Sequence, residues 1–203
     1  MSEPFWEEAY KNDEVSTFGT APNRLVAKYE YTFDKSWRIL EVCCGEGKNP
    51  LYLAGRGFSN VDAFDLSENG IAKLLRTASK RGLEINAWVQ DLRLFQFEKQ
   101  YDLILSFGSL HFVEKTDWVA LLQRAKDNTN IGGIHIINIF TNSVPASPDI
   151  ADFAIGLADD GELEKLYSNW RIIEFESYNF EDEHPGVSKH IHSANSIVAQ
   201  RIV

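Results

Sequence analysis

The chain has 203 residues, 44% of them hydrophobic, and a net charge of −10. That is the size of one ordinary domain, with enough apolar residues for a full core and too many for a disordered chain. Residues 1–100 carry 13 basic and 15 acidic side chains, whereas residues 101–203 carry 7 and 15. Such a surface repels phosphate backbones, which argues against nucleic acid or an anionic membrane as the main partner.

No apolar run is long enough to span a bilayer, and "MSEPFWEEAY" lacks the basic-then-apolar order of a signal peptide. The expectation is a cytoplasmic protein acting on a small molecule. Its oligomeric state is not legible. Cys43 and Cys44 are adjacent and are the only cysteines, so there is no disulfide framework.

In chain order, "FWEEAYKN" places Phe5, Trp6, Ala9 and Tyr10 at helical spacing. "FGTAPN" reads as a turn, and "NRLVAKYEY" as a second helix capped by Asn23. Strands and helices then alternate. "RILEV" is a strand, and "NPLYLAGRG" a helix opened by Asn49 and Pro50. "VDAFDL" is a strand, and "SENGIAKLLRTASKRG" a helix capped by Ser67 and closed by Gly82. "INAWVQDL" and "YDLILSF" are strands, the second apolar enough to be buried on both faces. "KTDWVALLQRAKDN" is a helix and "GGIHIINIF" a strand. This alternation implies βαβ units, a parallel sheet and helices on both faces. After residue 140 it stops. "TNSVPASPDIADFAIGLADD" reads as a mobile insertion and "GELEKLYSNW" as a short helix. "RIIEFESYNFED" and "SKHIHSANSIVAQRIV" read as an antiparallel pair with "EHPG" near the turn.

The stretch "EVCCGEGKN" follows the first strand and opens the next helix. Strand, glycine-containing turn, helix is the layout of a nucleotide-type cofactor site, because the backbone must approach the ligand. The pattern Glu41-x-Cys43-x-Gly45-x-Gly47 is not the spacing of a nicotinamide fingerprint, and no phosphate-binding Gly-Lys-Ser is present. A redox or metal role for the cysteines is disfavoured, since the usual spacing is Cys-x-x-Cys and no second pair follows. Cys44 reads as a small buried hydrophobe. Asp65, at the end of the second strand, can accept hydrogen bonds from a ribose diol or cap the following helix, and Leu66 stands beside it. Asp91 and Leu92 end the third strand and suit an adenine amine and ring face. Ser106 and Phe107 end the fourth. All lie at carboxyl ends of strands, where open α/β sheets bind ligands.

The order acidic-x-small-x-Gly-x-Gly, then Asp65, then "QDL", then "YDLILSF" resembles the class I S-adenosylmethionine-dependent methyltransferases over residues 5–140. "GEGKNPLYLAGRGFSNVDAFDLS", the lead-in and the late "GELEKLYSNWRIIEFE…EHPG" are most similar to the tellurite-resistance (TehB-like) small-molecule methyltransferases. The resemblance implies a Rossmann-like fold with a seven-stranded, mostly parallel sheet and a C-terminal antiparallel hairpin. It implies one methyltransferase domain over 1–203: a helical lid over 1–36, a cofactor core over 37–140, and a substrate-side insertion and hairpin over 141–203. S-adenosylmethionine is the implied cofactor. Glu41, Cys43, Gly45 and Gly47 would frame its methionine part, Asp65 and Leu66 its ribose side, and Asp91 and Leu92 its adenine. Ser106 would also line the site, with Phe18 and Asn23 under the lid. Cys43 stands where the family has glycine, and Glu41 where aspartate is more common.

His111 follows Ser106 on a strand-to-helix connection, and His184 corresponds to the active-site end of the hairpin in the family, with Pro185 in place of the usual arginine. Both are candidate catalytic residues, as base or as holders of an anionic acceptor. His184, His190 and His192 also invite a metal reading, although no metal is expected. The implied reaction is in-line displacement at the methyl carbon, with a thiol or chalcogen oxyanion as acceptor. The alternative is a non-catalytic module that binds S-adenosylmethionine or its demethylated product.

Overall fold

The computed structural model describes residues 4–16, 18–184 and 187–203, without the side chains of Phe5, His184 and Val187. Its strands form one seven-stranded mixed sheet in the order third, second, first, fourth, fifth, seventh, sixth. The chain divides into two compact units, Met1–Phe95 and Gln96–Val203. Among the described residues no helix is long and apolar enough to cross a membrane.

The first unit opens with α1 (Phe5–Tyr10) and α2 (Arg24–Tyr29), where the Asn23 side chain accepts the Leu25 N–H as the cap expected from sequence. Strands β1 (Arg38–Val42), β2 (Asn60–Asp65) and β3 (Asn86–Val89) run parallel, with Glu41 opposite Ala63 and Asp65 opposite Val89. Ile39, Leu40 and Val42 are all buried, as in a strand covered on both faces. Helix α3 (Lys48–Gly55) starts one residue before its predicted cap, because Gly47 takes the left-handed conformation and closes the turn itself. Helix α4 (Glu68–Lys80) is capped by the Ser67 hydroxyl, which accepts the Gly70 N–H at 2.9 Å. Its inner face, Ile71, Leu74 and Ala78, packs with Cys44, Leu51 and Ala63. Full burial of a side chain such as Leu74 contributes about 2–3 kcal/mol. Cys44 is the buried hydrophobe that its position suggested. Strand β3 stops at Val89, so Asp91 lies in the turn beyond it rather than at the strand end.

The second unit contains β4 (Tyr101–Phe107), α5 (Lys115–Asp127) and β5 (Thr129–Phe140), with β4 and β5 parallel. Strand β5 begins three residues before the Gly-Gly expected to precede it. Gly132, at φ 86°, absorbs the irregularity, and its N–H donates to the Arg201 carbonyl. After α6 (Glu162–Leu166), the chain returns as β6 (Arg171–His184) and β7 (Val187–Gln200), the antiparallel hairpin expected from sequence. Strand β7 also pairs antiparallel with β5. Helix α6 is shorter than expected because Tyr167 and Trp170 turn inward against the His135 ring. The segment 141–160, expected to be mobile, is fastened to its own unit. Trp118 Nε1 donates to the Gly156 carbonyl at 2.8 Å, and the Gly156 N–H donates to the His111 carbonyl at 3.0 Å.

Candidate functional site

In the first unit the turn after β1 is built from left-handed residues: Cys43 at φ 55°, Gly45 at φ 55° and Gly47 at φ 79°. Cys43 is the one non-glycine residue with positive φ among those described. The turn is closed by Cys44 N–H donating to the Phe64 carbonyl and Gly47 N–H donating to the Cys44 carbonyl. A β-carbon on Gly45 would meet the Tyr10 hydroxyl at 2.5 Å, and one on Gly47 would run into the Leu74 side chain. Glycine is therefore required at both positions, by the left-handed backbone and by the close packing of Tyr10 and Leu74.

Glu41 sits at the base of this loop, buried. Its Oε1 accepts from Asn49 Nδ2 at 2.7 Å, and its Oε2 has no hydrogen-bond partner among the described residues. Burial pushes its carboxyl up to about 8, opposed by the Asn49 hydrogen bond. Asn49 in turn accepts the Asn23 N–H at 2.7 Å, so the lead-in is tied to Glu41 through one buried amide. The sequence read Asn49 only as a helix opener. Its fixed distance from an acidic strand end was the signal for this second role.

Asp65 ends β2 as expected. Its Oδ2 accepts the Gly45 N–H at 2.7 Å and its Oδ1 the Ser67 N–H at 2.8 Å. Burial raises its carboxyl above the usual range, against those backbone bonds. The helix cap is Ser67, so Asp65 is a brace for the glycine turn with lone pairs left over for a hydroxyl donor. Leu66 beside it is exposed. Leu92 is buried. Asp91 is engaged by Arg93, with Nε at 3.0 Å and Nη2 at 2.5 Å from Asp91 Oδ2, and this pairing holds its carboxyl below the usual range. An adenine amine would have to displace that guanidinium. Asn23 spends its side chain on the α2 cap, and the Phe18 carbonyl accepts from Lys48 Nζ at 3.2 Å.

A buried ion pair was invisible to the sequence. Lys73 Nζ lies 2.7 Å from Glu46 Oε2 and also donates to the carbonyls of Ala9 and Val15. Ser16 Oγ donates to Glu46 Oε1 at 2.7 Å. One cation on α4 thus ties residues 9–16 to the glycine turn.

In the second unit Ser106 stands one residue before the end of β4, buried, with its hydroxyl 3.3 Å from that of Ser109. His111 follows on a single 3₁₀ turn and is fully buried. Its ring stacks on Phe140 at 4.4 Å and lies 4.1 Å from Phe112. Neither ring nitrogen has a partner among the described residues. Burial, with a smaller contribution from His192, drops it to about 3, so it is neutral at physiological pH. The role of a protonated anion holder is thereby corrected to that of a neutral imidazole. His184 closes β6, and its side chain and Pro185 lie outside the described residues. His135 is buried and neutral, 2.7 Å from Thr129 Oγ1 and 2.6 Å from the Tyr167 hydroxyl, a satisfied core histidine.

The family model for the tellurite resistance protein TehB matches residues 29–186. A probable S-adenosyl-L-methionine-dependent methyltransferase TehB from Haemophilus influenzae Rd is 30% identical over 138 residues, 68% of this chain and 47% of the relative. The crystal structure of TehB from Haemophilus influenzae superposes with a TM-score of 0.80 at 25% identity, over 91% of this chain and 64% of that one. A magnesium protoporphyrin IX methyltransferase from Synechocystis PCC 6803, solved with bound S-adenosylmethionine, shares the fold at a TM-score of 0.64 and 16% identity, over 87% of this chain and 76% of that one. The chain spans about half the length of the curated relatives it matches. With the family model covering more than three quarters of its residues, the chain belongs to the TehB family.

Proposed function

We propose that the chain, as one methyltransferase domain over 1–203, transfers a methyl group from S-adenosylmethionine to a small-molecule acceptor. The observation that carries the reading is Glu41: a buried carboxyl with one unpartnered oxygen among the described residues, at the base of a turn where β-carbons at Gly45 and Gly47 would collide with Tyr10 and Leu74, and whose ionisation a cationic ligand would favour. Those features fit the group. A cationic amine supplies the partner that Oε2 lacks, beside a turn held in the left-handed conformation by Gly45 and Gly47.

When bound, the cofactor supplies a methyl group activated on a sulfonium. The chain's own residues hold and align. Glu41 takes the ammonium of the methionine part, and Gly45 and Gly47 give it backbone contact. Asp65 accepts from the ribose hydroxyls while bracing Gly45, and Leu66 offers an exposed apolar face to the base. His111 presents a neutral imidazole with both nitrogens available. Its N–H can hydrogen-bond an oxyanion that needs no base, whereas an imidazole held near 3 is a poor acceptor for a thiol proton. Tellurite resistance, the family's description, makes tellurium and selenium oxyanions the first acceptors to try, followed by small thiols.

The test is calorimetric titration with S-adenosylmethionine, S-adenosylhomocysteine and reduced nicotinamide cofactor, followed by methyl-transfer assays on those acceptors. Micromolar binding of the first two, none of the third, and a loss of at least about 100-fold in Glu41→Gln is expected, the scale of a lost charge-assisted contact. Absence of binding by either sulfur compound overturns the reading. If His111→Ala and His184→Ala both keep full turnover, neither histidine has the role given to it.

A further inference from the structure

Asp149, His190 and His192 bring three ligand atoms together inside the second unit. His190 Nε2 lies 3.0 Å from His192 Nε2, and Asp149 Oδ2 lies 3.3 Å and 3.6 Å from them. The three side chains are 7%, 3% and 1% exposed in the order His190, His192, Asp149. The remaining atoms decide which groups carry protons. His190 Nδ1 faces the Ser188 carbonyl at 2.8 Å, and a carbonyl only accepts, so Nδ1 carries the hydrogen. Ser147 Oγ donates to Asp149 Oδ1 at 2.5 Å, so its proton is used there. Its contact with His192 Nδ1 at 3.2 Å is then a bond in which Nδ1–H donates. Both Nδ1 atoms are thus engaged outside the cluster, and both Nε2 atoms face Asp149 Oδ2. Two imidazole nitrogens and a carboxylate oxygen converge in a buried space walled by Phe140 and Phe180, whose rings lie 4.5 Å and 5.3 Å from that of His192.

The spacing also has the size of a coordination shell. Two ligands about 2.0–2.1 Å from one ion sit about 3.3 Å apart at a tetrahedral angle and about 2.9 Å apart at a right angle. A point at about that bond length from all three atoms lies just off their plane. Ser188 and Ser147 occupy the other ring nitrogens, which fixes both tautomers for metal binding. We propose that Asp149, His190 and His192 form a two-histidine, one-carboxylate site for a divalent first-row transition ion, for which zinc(II) is the probe. Imidazole pairs do not suit magnesium or calcium. Three protein ligands leave at least one coordination position for water or an anionic oxygen or sulfur. From sequence no metal was expected: two histidines at i and i+2 are visible in β7, but the carboxylate comes from 41 positions earlier, in an insertion with no regular structure.

The test titrates Zn2+ into the metal-stripped full chain by calorimetry and follows Co2+ by its visible spectrum. One equivalent, bound at micromolar concentration or tighter, is expected, with a spectrum free of thiolate charge transfer. His190→Gln and Asp149→Asn should weaken it by at least about 100-fold, and Ser147→Ala by about 10-fold, the scale of an outer-shell loss. Cys43→Ser should leave it unchanged. His190→Gln keeps size and polarity on the hairpin, and its circular dichroism and melting curve check that it folds. Zn2+ should raise Tm in the wild type and not in that variant. Binding that is absent, or undiminished in the ligand variants, overturns the proposal. So does an imidazole nitrogen spectrum showing a shared proton in this pair at neutral pH with no Zn2+ uptake. None of these readouts depends on methyl transfer.

Discussion

The glycine turn of the first unit and the histidine cluster of the second solve opposite problems. The turn is built from backbone. Its working parts are N–H groups, bare Cα atoms and two carboxylates, and they come from a short run, Glu41 to Gly47, with Asp65 on the neighbouring strand. The cluster is built from side chains. His111, Phe140, Asp149, His190 and His192 come from four separate stretches of chain and meet through ring stacking and buried hydrogen bonds. The first region is organised by charge, since Lys73 neutralises Glu46 and Asp65 braces Gly45. In the second, neutral rings and lone pairs dominate, with His111 and His135 held uncharged.

The strongest way to break this contrast is Lys73→Met. It leaves Glu46 buried without its cation and frees residues 9–16, and should cost about 3–5 kcal/mol. The double variant Lys73→Met with Glu46→Gln should recover much of that in a denaturant melt. If the single change is neutral, charge does not organise the first region. Next comes Glu41→Gln. Glu41 ionises at about 8 when folded and at an ordinary 4.5 when unfolded. Because the folded form holds its proton more tightly, its contribution is most favourable below pH 4.5 and is lost as pH rises toward 8. At pH 7 the penalty is about 3 kcal/mol, so Glu41→Gln should stabilise by roughly that amount while losing cofactor. Melting curves at pH 5 and pH 8 check it, since the gain should shrink at the lower pH.

This contrast also explains what the sequence made legible. Alternating strands and helices, the Ser67 cap and the glycine turn are local, so each is written in a few adjacent residues. Asp65 stood out because a strand end and a glycine motif bracket it. Asp149, Asn49 and the Lys73–Glu46 pair did not, because their meaning is in contacts between segments 8 to 43 residues apart, and the same residue types on a surface would mean nothing. Asp91 and Leu92 were read as strand-end ligands because the apolar pattern continues past Val89. The early end of β3 puts one against Arg93 and the other in the core.

A smaller effect tests the second region. His111 is buried with neither nitrogen partnered among the described residues, so His111→Leu should stabilise by about 1–2 kcal/mol while lowering turnover. The wild-type ring is neutral when folded and charges below about 6.5 when unfolded, so its stability is present above that pH and is lost as pH falls toward 3. His111→Leu should therefore have a shallower acid limb, with His135 still contributing.

The smallest expected effect lies at the one position where the first region departs from its own logic. Cys43 holds φ 55°, a conformation its neighbours Gly45 and Gly47 adopt without a β-carbon. For a non-glycine residue that region costs about 1–2 kcal/mol. Glycine removes the cost but adds freedom to the unfolded chain, which returns part of it. Cys43→Gly should thus gain about 1 kcal/mol or less. The more informative readout is S-adenosylmethionine affinity. If the backbone alone contacts the ligand, removing the thiol lets the turn close and affinity rises severalfold. If affinity falls instead, the Cys43 side chain is itself a contact. The first region would then depend, like the second, on a side chain, and the division between backbone and side-chain recognition would fail at its centre.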